Sequence, residues 1–184
     1  MSKEVNELVE MGEDAIVASA LKSIGGSISL ENFTSVTVLT NGKEVYVSFR
    51  NQYKFLPLNS IYYFDVGVNV TLNTIYKNSI ANPYEYTNEE TIPYFELTED
   101  IKKHIDFVKQ AIGNLDGFED ELIIRENKDY YAIEVVSESQ ESSYKIKKST
   151  GEIYDEFHAH LEPIPFDVES EEAFEVIDFS LIDN

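Results

Sequence analysis

Residues 36–49 read VTVLTNGKEVYVSF, two runs of alternating apolar and polar residues on either side of Asn41-Gly42. A period of two places every second side chain on one face of a β-strand, so that one face can be buried while the other stays in water. Asn-Gly between two such runs is a strong hairpin signal, because both residues tolerate the positive φ of a type I′ turn. The segment therefore predicts an antiparallel hairpin.

The residues before the hairpin follow a different period. Between Val5 and Leu21 apolar or small residues recur every three or four positions, at Val5, Leu8, Val9, Gly12, Ile16 and Ala20. This spacing predicts a single helix, which Gly25-Gly26 would end. After the hairpin, the aromatic and β-branched run 61–72 predicts a third strand with a bulge at Gly67. The first half is thus predicted to be a helix followed by about three strands.

The second half repeats this order of signals. Thr98 can cap a helix whose first turn holds Glu99 and Asp100, where carboxylates are stabilised by the helix dipole. The apolar face of that helix is predicted to consist of Ile101, Ile105, Val108 and Ile112. Alternating runs at 122–125, 130–136 and 143–148 then predict three more strands.

We therefore predict an α+β fold made of two tandem helix-plus-antiparallel-sheet (αβββ) units with an acidic C-terminal extension. Residues 38–47 align with 124–133, which favours an internal duplication, although helix-then-meander is also a common arrangement by itself. The predicted parts are a first unit at 1–77, a connection at 78–97, a second unit at 98–157 and an acidic segment at 158–184.

The end of the second unit resembles a known family. Residues 144–153 read YKIKKSTGEI, and an alternating strand followed by Thr-Gly and an acidic residue is similar to the last strands of a PepSY-type unit. Two such units in tandem resemble the β-lactamase-inhibitor-protein-like family, closely over 98–154 and loosely over 5–75. The resemblance implies a protein-binding surface and no catalysis, and no functional residue is carried over from it.

Composition narrows the classes of function. The formal charge is −21, from 35 acidic and 14 basic residues, and this charge repels phosphate backbones and anionic lipids while attracting basic proteins. We therefore predict a basic protein partner, no direct nucleic-acid binding and no membrane binding, unless the charge serves solubility alone. The absence of cysteine excludes disulfides and thiolate metal ligands. With no export or membrane-spanning pattern, the predicted compartment is the cytoplasm.

Few side chains are suited to catalysis. The three histidines are His104, His158 and His160, and no P-loop, nucleophile elbow or dinucleotide fingerprint occurs. On a strand, His158 and His160 would share a face with Glu156 and Glu162, a donor set that suits a divalent metal. The favoured interpretation is a solvated strand end, with His104 on the surface of its helix. We predict no enzyme activity, no cofactor and no metal site.

Two sets of residues are candidates for partner binding. Tyr84, Tyr86 and Tyr94 in the connection could act as aromatic anchors. Residues 151–184 hold eleven acidic residues and no lysine or arginine, with apolar residues interspersed. This pattern predicts contact with a basic groove, or packing of the segment on its own sheet. The residues predicted to bind in this segment are Glu169, Glu171, Glu172, Phe174, Glu175 and Phe179.

The predicted function is accordingly a non-catalytic acidic protein-binding module, preferably an inhibitor or immunity-type factor that engages a basic site. One alternative is a nucleic-acid mimic that blocks a DNA- or RNA-binding protein. Another is a small-molecule-binding α+β domain, which requires an enclosed pocket with convergent polar groups.

Overall fold

The computed structural model describes residues 2–25, 28–58, 60–82, 90–92, 98–113, 121–136, 140–160 and 173–181. Within these residues the fold combines three α-helices with two mainly antiparallel sheets, which confirms the α+β class. The helices are α1 (Lys3–Glu10), α2 (Glu13–Ile24) and α3 (Glu99–Ile112). The strands are β1 (Ser35–Thr40), β2 (Val45–Arg50), β3 (Tyr53–Leu56), β4 (Ser60–Asn69), β5 (Thr74–Ala81), β6 (Glu90–Ile92), β7 (Glu121–Glu126), β8 (Tyr130–Val136), β9 (Gln140–Lys147), β10 (Ile153–His160) and β11 (Glu175–Val176).

The chain divides into two compact units that are not contiguous in sequence. The first unit comprises Met1–Arg50, Asp65–Asn78 and Phe166–Asn184, and the second comprises Asn51–Phe64 and Ser79–Pro165. The first sheet has the strand order β11-β1-β2-β4-β5, with β6 also pairing with β4, and the second has the order β10-β9-β8-β7-β3. The four-part division by sequence stays a prediction.

Two helices stand where the sequence predicted one. Ser2 caps the start of α1, and its hydroxyl accepts a hydrogen bond from the Val5 amide at 3.2 Å. It stops at Glu10, because Gly12 adopts a φ of 86° and a second helix starts directly after it. A residue with positive φ cannot continue a right-handed helix, and glycine adopts this conformation without steric cost. The single-helix prediction was therefore wrong at Gly12.

The predicted hairpin is confirmed, but its turn type is not. Strands β1 and β2 pair antiparallel, with Val38 opposite Val47 and Thr40 opposite Val45. This register leaves a loop of four residues, in which Gly42 alone has a positive φ. The Asn41 side chain accepts hydrogen bonds from the amides of Lys43 and Glu44 instead of entering a type I′ turn. Asparagine commonly caps turns in this way.

The second unit is built around α3 and the second sheet. Thr98 caps the helix as predicted, its hydroxyl accepting from the Ile101 amide at 3.3 Å. Strands β7 to β10 form an antiparallel meander in chain order. Side chains from the helix and the sheet form one buried cluster, which includes Ile105, Val108, Ile124, Ile133 and Ile146.

Strand β3 was missed by the sequence analysis. It pairs in parallel with β7, with Tyr53 opposite Leu122 and Phe55 opposite Ile124. Between the hairpin and residue 61 the sequence pattern predicted no strand. Four residues are too few for a clear period, and the pairing partner lies far along the chain.

Asn82 joins β3 to β7 and provides a first test of the fold. Its buried amide nitrogen lies 3.0, 2.9 and 2.8 Å from the carbonyl oxygens of Leu56, Pro57 and Glu126. We expect Asn82→Ala to lower the free energy of unfolding by about 1–3 kcal/mol, because it leaves these carbonyls without their donor. Urea denaturation measures the change, with the exposed Asn6→Ala as a control expected to stay within about 0.5 kcal/mol of wild type. Equal losses in the two variants would contradict this role.

Candidate functional site

The two faces of the first sheet differ in what covers them. Helix α2 contacts β1 and β2, and Val38, Val47 and Phe49 are buried on that side. Because side chains alternate along a strand, their neighbours point to the opposite side. There, Val176, Leu39 and Tyr46 lie in one row across β11, β1 and β2. We name this side the open face and define it by the residues Leu39, Tyr46, Tyr76, Phe174 and Val176.

Three aromatic rings form the centre of the open face. The Tyr46 ring centroid lies 6.1 Å from that of Tyr76 and 5.8 Å from that of Phe174, in tilted arrangements. Tyr76 is 53% exposed and Phe174 is 40% exposed, so these two rings present a large apolar area to water. Adjacent exposed aromatic side chains of this kind mark interaction sites more often than isolated ones do.

Gly67 allows Tyr46 to lie flat on the sheet. A Cβ at this position would overlap the Tyr46 hydroxyl and ring, so only glycine leaves the room that the ring occupies. The predicted bulge at Gly67 was wrong, because the register runs without interruption from Val66 to Asn69. Burial, followed by the neighbouring Tyr76 and Asp65, raises the pKa of the Tyr46 hydroxyl. The hydroxyl therefore stays protonated and uncharged at neutral pH.

A polar depression borders the aromatic cluster. It has a volume of about 270 Å³ and is lined by Tyr46, Ser48, Arg50, Asp65, Val66, Gly67, Tyr76 and Asn78. The Nε atom of Arg50 lies 3.6 Å from Oδ2 of Asp65, and the Arg50 side chain is mostly exposed. The rim thus combines a carboxylate with tyrosine rings and a guanidinium, and the last two are side chains that commonly anchor protein interfaces.

The residues that the sequence predicted to bind a partner divide into two groups. Glu169, Glu171 and Glu172 lie outside the described residues, and so do Tyr84, Tyr86 and Tyr94, so their roles stay predictions. The structure does describe Phe174, Glu175 and Phe179.

The described part of the C-terminal segment packs on its own sheet and still contributes to the open face. Strand β11 pairs with β1, and the Ile177 amide donates to the Val38 carbonyl at 3.0 Å. Phe174 belongs to the open face, and Glu175 is exposed opposite Thr40. Phe179 is half-buried beside the junction of α1 and α2. The two alternatives for the segment, self-packing and partner contact, are therefore compatible.

The neighbours of His158 on β10 differ from the donor set that was considered for a metal. His158 Nδ1 lies 2.7 Å from the Ser142 hydroxyl, and its Nε2 lies 2.5 Å from a Glu156 oxygen. Glu162 is outside the described residues. In the part of the chain that the structure describes, no three histidine or acidic side chains converge as a metal site.

The Ser142, His158 and Glu156 side chains form a hydrogen-bonded series reminiscent of hydrolase triads. Ser142 is only 1% exposed, however, so its hydroxyl is not accessible to a substrate. A nucleophile must reach the bond that it attacks. The series therefore holds the His158 ring in place against the sheet.

The third histidine was assigned wrongly to the helix surface. The His104 ring is half-buried and stacks on Phe55 with centroids 4.7 Å apart. Its Nδ1 lies 2.5 Å from the hydroxyl of Tyr131, whose pKa burial raises to about 12. The two lysines directly before it, Lys102 and Lys103, suggested exposure. The ring instead faces the sheet, where it helps to dock α3.

Comparisons with known proteins identify no relative. No family model matches the chain, no curated protein matches it in sequence, and no solved structure matches it in fold. The resemblance to the PepSY-type and β-lactamase-inhibitor-protein-like families stays a prediction. Among the described helices, none is long and apolar enough to cross a bilayer.

Proposed function

We propose that this protein is a non-catalytic binding module that docks a basic protein on its open face and acts as an inhibitor or immunity-type factor. The observation that carries the proposal is the exposed cluster of Tyr46, Tyr76 and Phe174 in a chain with a formal charge of −21. Aromatic residues dominate the energetics of protein interfaces, and complementary net charge selects and attracts the partner.

The exposed rings and the carboxylates of the C-terminal segment are expected to have separate kinetic roles. Rings that become buried in the complex slow dissociation, because their apolar area must return to water before the partner leaves. The carboxylates at 169, 171, 172 and 175 act during the approach, since charges attract over a Debye length of about 8 Å at physiological salt. Loss of rings and loss of charge therefore have distinguishable effects.

The test is capture of a partner from extracts of the native host, followed by kinetics with the purified partner. We expect Tyr76→Ala combined with Phe174→Ala to weaken binding by tenfold or more, mainly through faster dissociation. Glutamine at positions 169, 171, 172 and 175 should instead slow association and flatten its dependence on salt. The matched control is Ile75→Ala, because Ile75 is an exposed apolar residue next to Tyr76 that points to the other side of β5.

Two results would contradict the proposal. One is capture of the same partner at the same affinity by the Tyr76 and Phe174 double variant. The other is an equal loss of affinity in Ile75→Ala, which would indicate a general loss of structure. A captured partner that normally binds DNA or RNA, and that nucleic acid displaces, would favour the mimic alternative.

We also propose that the two units arose by duplication. In support, four strands follow in chain order in each sheet, β1-β2-β4-β5 and β7-β8-β9-β10. In each sheet a further strand, β11 or β3, lies beside the first of the four. Strand β11, which lies within the predicted acidic extension, then completes the first sheet. The proposed compartment is the cytoplasm, in keeping with a fold that uses no disulfide.

A further inference from the structure

We propose that β10 is a second docking element, which receives an extended, lysine- or arginine-rich segment of a partner as an added strand. This inference rests on the proposed function for the basic character of the partner, but it concerns a surface in the other unit. The added segment would lie alongside Ile153–His160 and extend the second sheet by one strand.

Strand β10 ends the second sheet among the strands that the structure describes. It pairs on one side with β9, from Ile153 opposite Ile146 to His160 opposite Gln140. In an antiparallel pair, alternate residues direct their N–H and C=O groups towards the partner strand and away from it. Alternate residues within 155–159 therefore direct backbone donors and acceptors towards the outer edge.

The side chains of β10 leave this edge accessible. All of its residues are exposed except Ile153 and Ala159, which are half-buried. Phe157 is 58% exposed and lies opposite Ser143, on the side of the sheet away from α3. Tyr154 is also exposed, and its ring is held against Tyr130 with centroids 6.1 Å apart. These rings can contact apolar side chains of an added strand.

Strand β10 lacks two of the common protections of an exposed edge. Edge strands often carry lysine or proline, which hinder another chain from adding to the sheet. The sequence of β10, IYDEFHAH, contains neither. A bulge between Ile153 and Asp155 disturbs only its first residues. The remainder, Asp155 to His160, keeps an unbroken register with β9.

Charge decides which occupant fits this edge. Asp155 and Glu156 lie on β10, and the strand contains no lysine or arginine. A second copy of the chain would bring its own charge of −21, and like charges on paired strands are destabilising. A basic segment is instead attracted to Asp155 and Glu156. Because these neighbours point to opposite faces of the sheet, lysines of the added strand can approach either carboxylate, beside the contacts that the two make with Lys145 and His158.

The test uses synthetic peptides of the same length as β10 and the full-length protein. One peptide alternates β-branched residues with lysine, and its twin carries glutamate in place of each lysine. Two further versions of the lysine peptide are N-methylated on alternate residues, one version for each edge of the peptide strand. Binding is measured by fluorescence anisotropy at low and at physiological salt, and amide hydrogen exchange is followed across β10.

We expect the lysine peptide to bind, to slow amide exchange in β10, and to bind more weakly as salt rises. The glutamate twin should bind at least tenfold more weakly, and one of the two N-methylated versions should lose binding while the other loses much less. Phe157→Thr, which keeps a strand-forming residue, should weaken the lysine peptide by about tenfold. No binding of the lysine peptide, equal binding of its twin, or equal binding of both methylated versions would each overturn the proposal.

The same peptides separate this inference from the proposed function. Tyr76→Ala combined with Phe174→Ala should leave peptide binding to β10 unchanged, because those residues belong to the open face. Suppose that the host partner depends on the open face, that Phe157→Thr changes no affinity, and that no ligand slows amide exchange in β10. The strand-addition proposal then fails alone. If the peptides bind as expected and the Tyr76 and Phe174 double variant keeps full affinity for the host partner, the proposed function of the open face fails instead.

Discussion

Replacing Lys54 with alanine is expected to lower the free energy of unfolding by about 3–5 kcal/mol, because it breaks a buried ion pair by removing one partner. Lys54 is 1% exposed on β3 and pairs with Glu121 at the start of β7, whose carboxylate is also largely shielded. Without the ammonium, that carboxylate keeps its desolvation cost and loses its nearest opposite charge. Urea denaturation monitored by circular dichroism measures the loss.

Two controls separate the ion pair from other effects of truncation. Lys102→Ala removes a lysine whose bond to Glu99 lies at the surface, and it should change stability by less than about 1 kcal/mol. Lys54→Met combined with Glu121→Gln should recover much of the loss, since a buried pair replaced as a whole costs far less than one that is broken. Losses of similar size for Lys54→Ala and Lys102→Ala would show that the pair is not buried in solution.

The second large effect is expected at Gly67. We expect Gly67→Val to lower the free energy of unfolding by about 1–3 kcal/mol, because the new side chain must displace the Tyr46 ring. The φ of Gly67 is not in the left-handed region, so a β-branched residue meets no backbone strain there. The displaced ring should also disrupt the aromatic cluster, so that partner binding falls together with stability.

A double-mutant cycle tests whether the ring is the cause. In a Tyr46→Ala background the same Gly67→Val substitution should cost little, and valine's preference for strands can make it stabilising. The coupling between the two positions is then about 1–3 kcal/mol, in the range of residues in direct contact. If Gly67→Val costs the same in both backgrounds, the loss of stability arises in the strand itself. The Tyr46 ring would then not depend on glycine at position 67.

Much of the fold could be predicted because its signals are local. The hairpin of β1 and β2, the capped helix α3 and the strands β7 to β9 all depend on residue periods and on caps a few positions away. The helix break was also marked in the sequence by Gly12. We placed that glycine on the apolar face of one helix, because a glycine fits the i, i+3 pattern as a small residue.

The candidate site could be predicted only in part. Phe174 was expected to bind a partner because apolar residues recur in an acidic segment, and it does lie in the exposed cluster. Tyr46 was predicted only as part of the hairpin and Tyr76 was placed on no element, since nothing local shows that their rings meet. Gly67 gave a signal, but a glycine within a strand indicates either a bulge or a close approach, and the sequence does not distinguish the two.

The α+β class, the acidic charge and the order of most helices and strands follow from the amino-acid sequence, because they depend on composition and on neighbouring residues. The pairing of β3 with β7, the addition of β11 to the first sheet and the meeting of three rings on its open face emerge only in the folded chain. Such pairings bring together segments far apart in the chain. They form because they satisfy backbone hydrogen bonds and bury apolar area in the folded protein, and neither quantity appears in any short window of sequence.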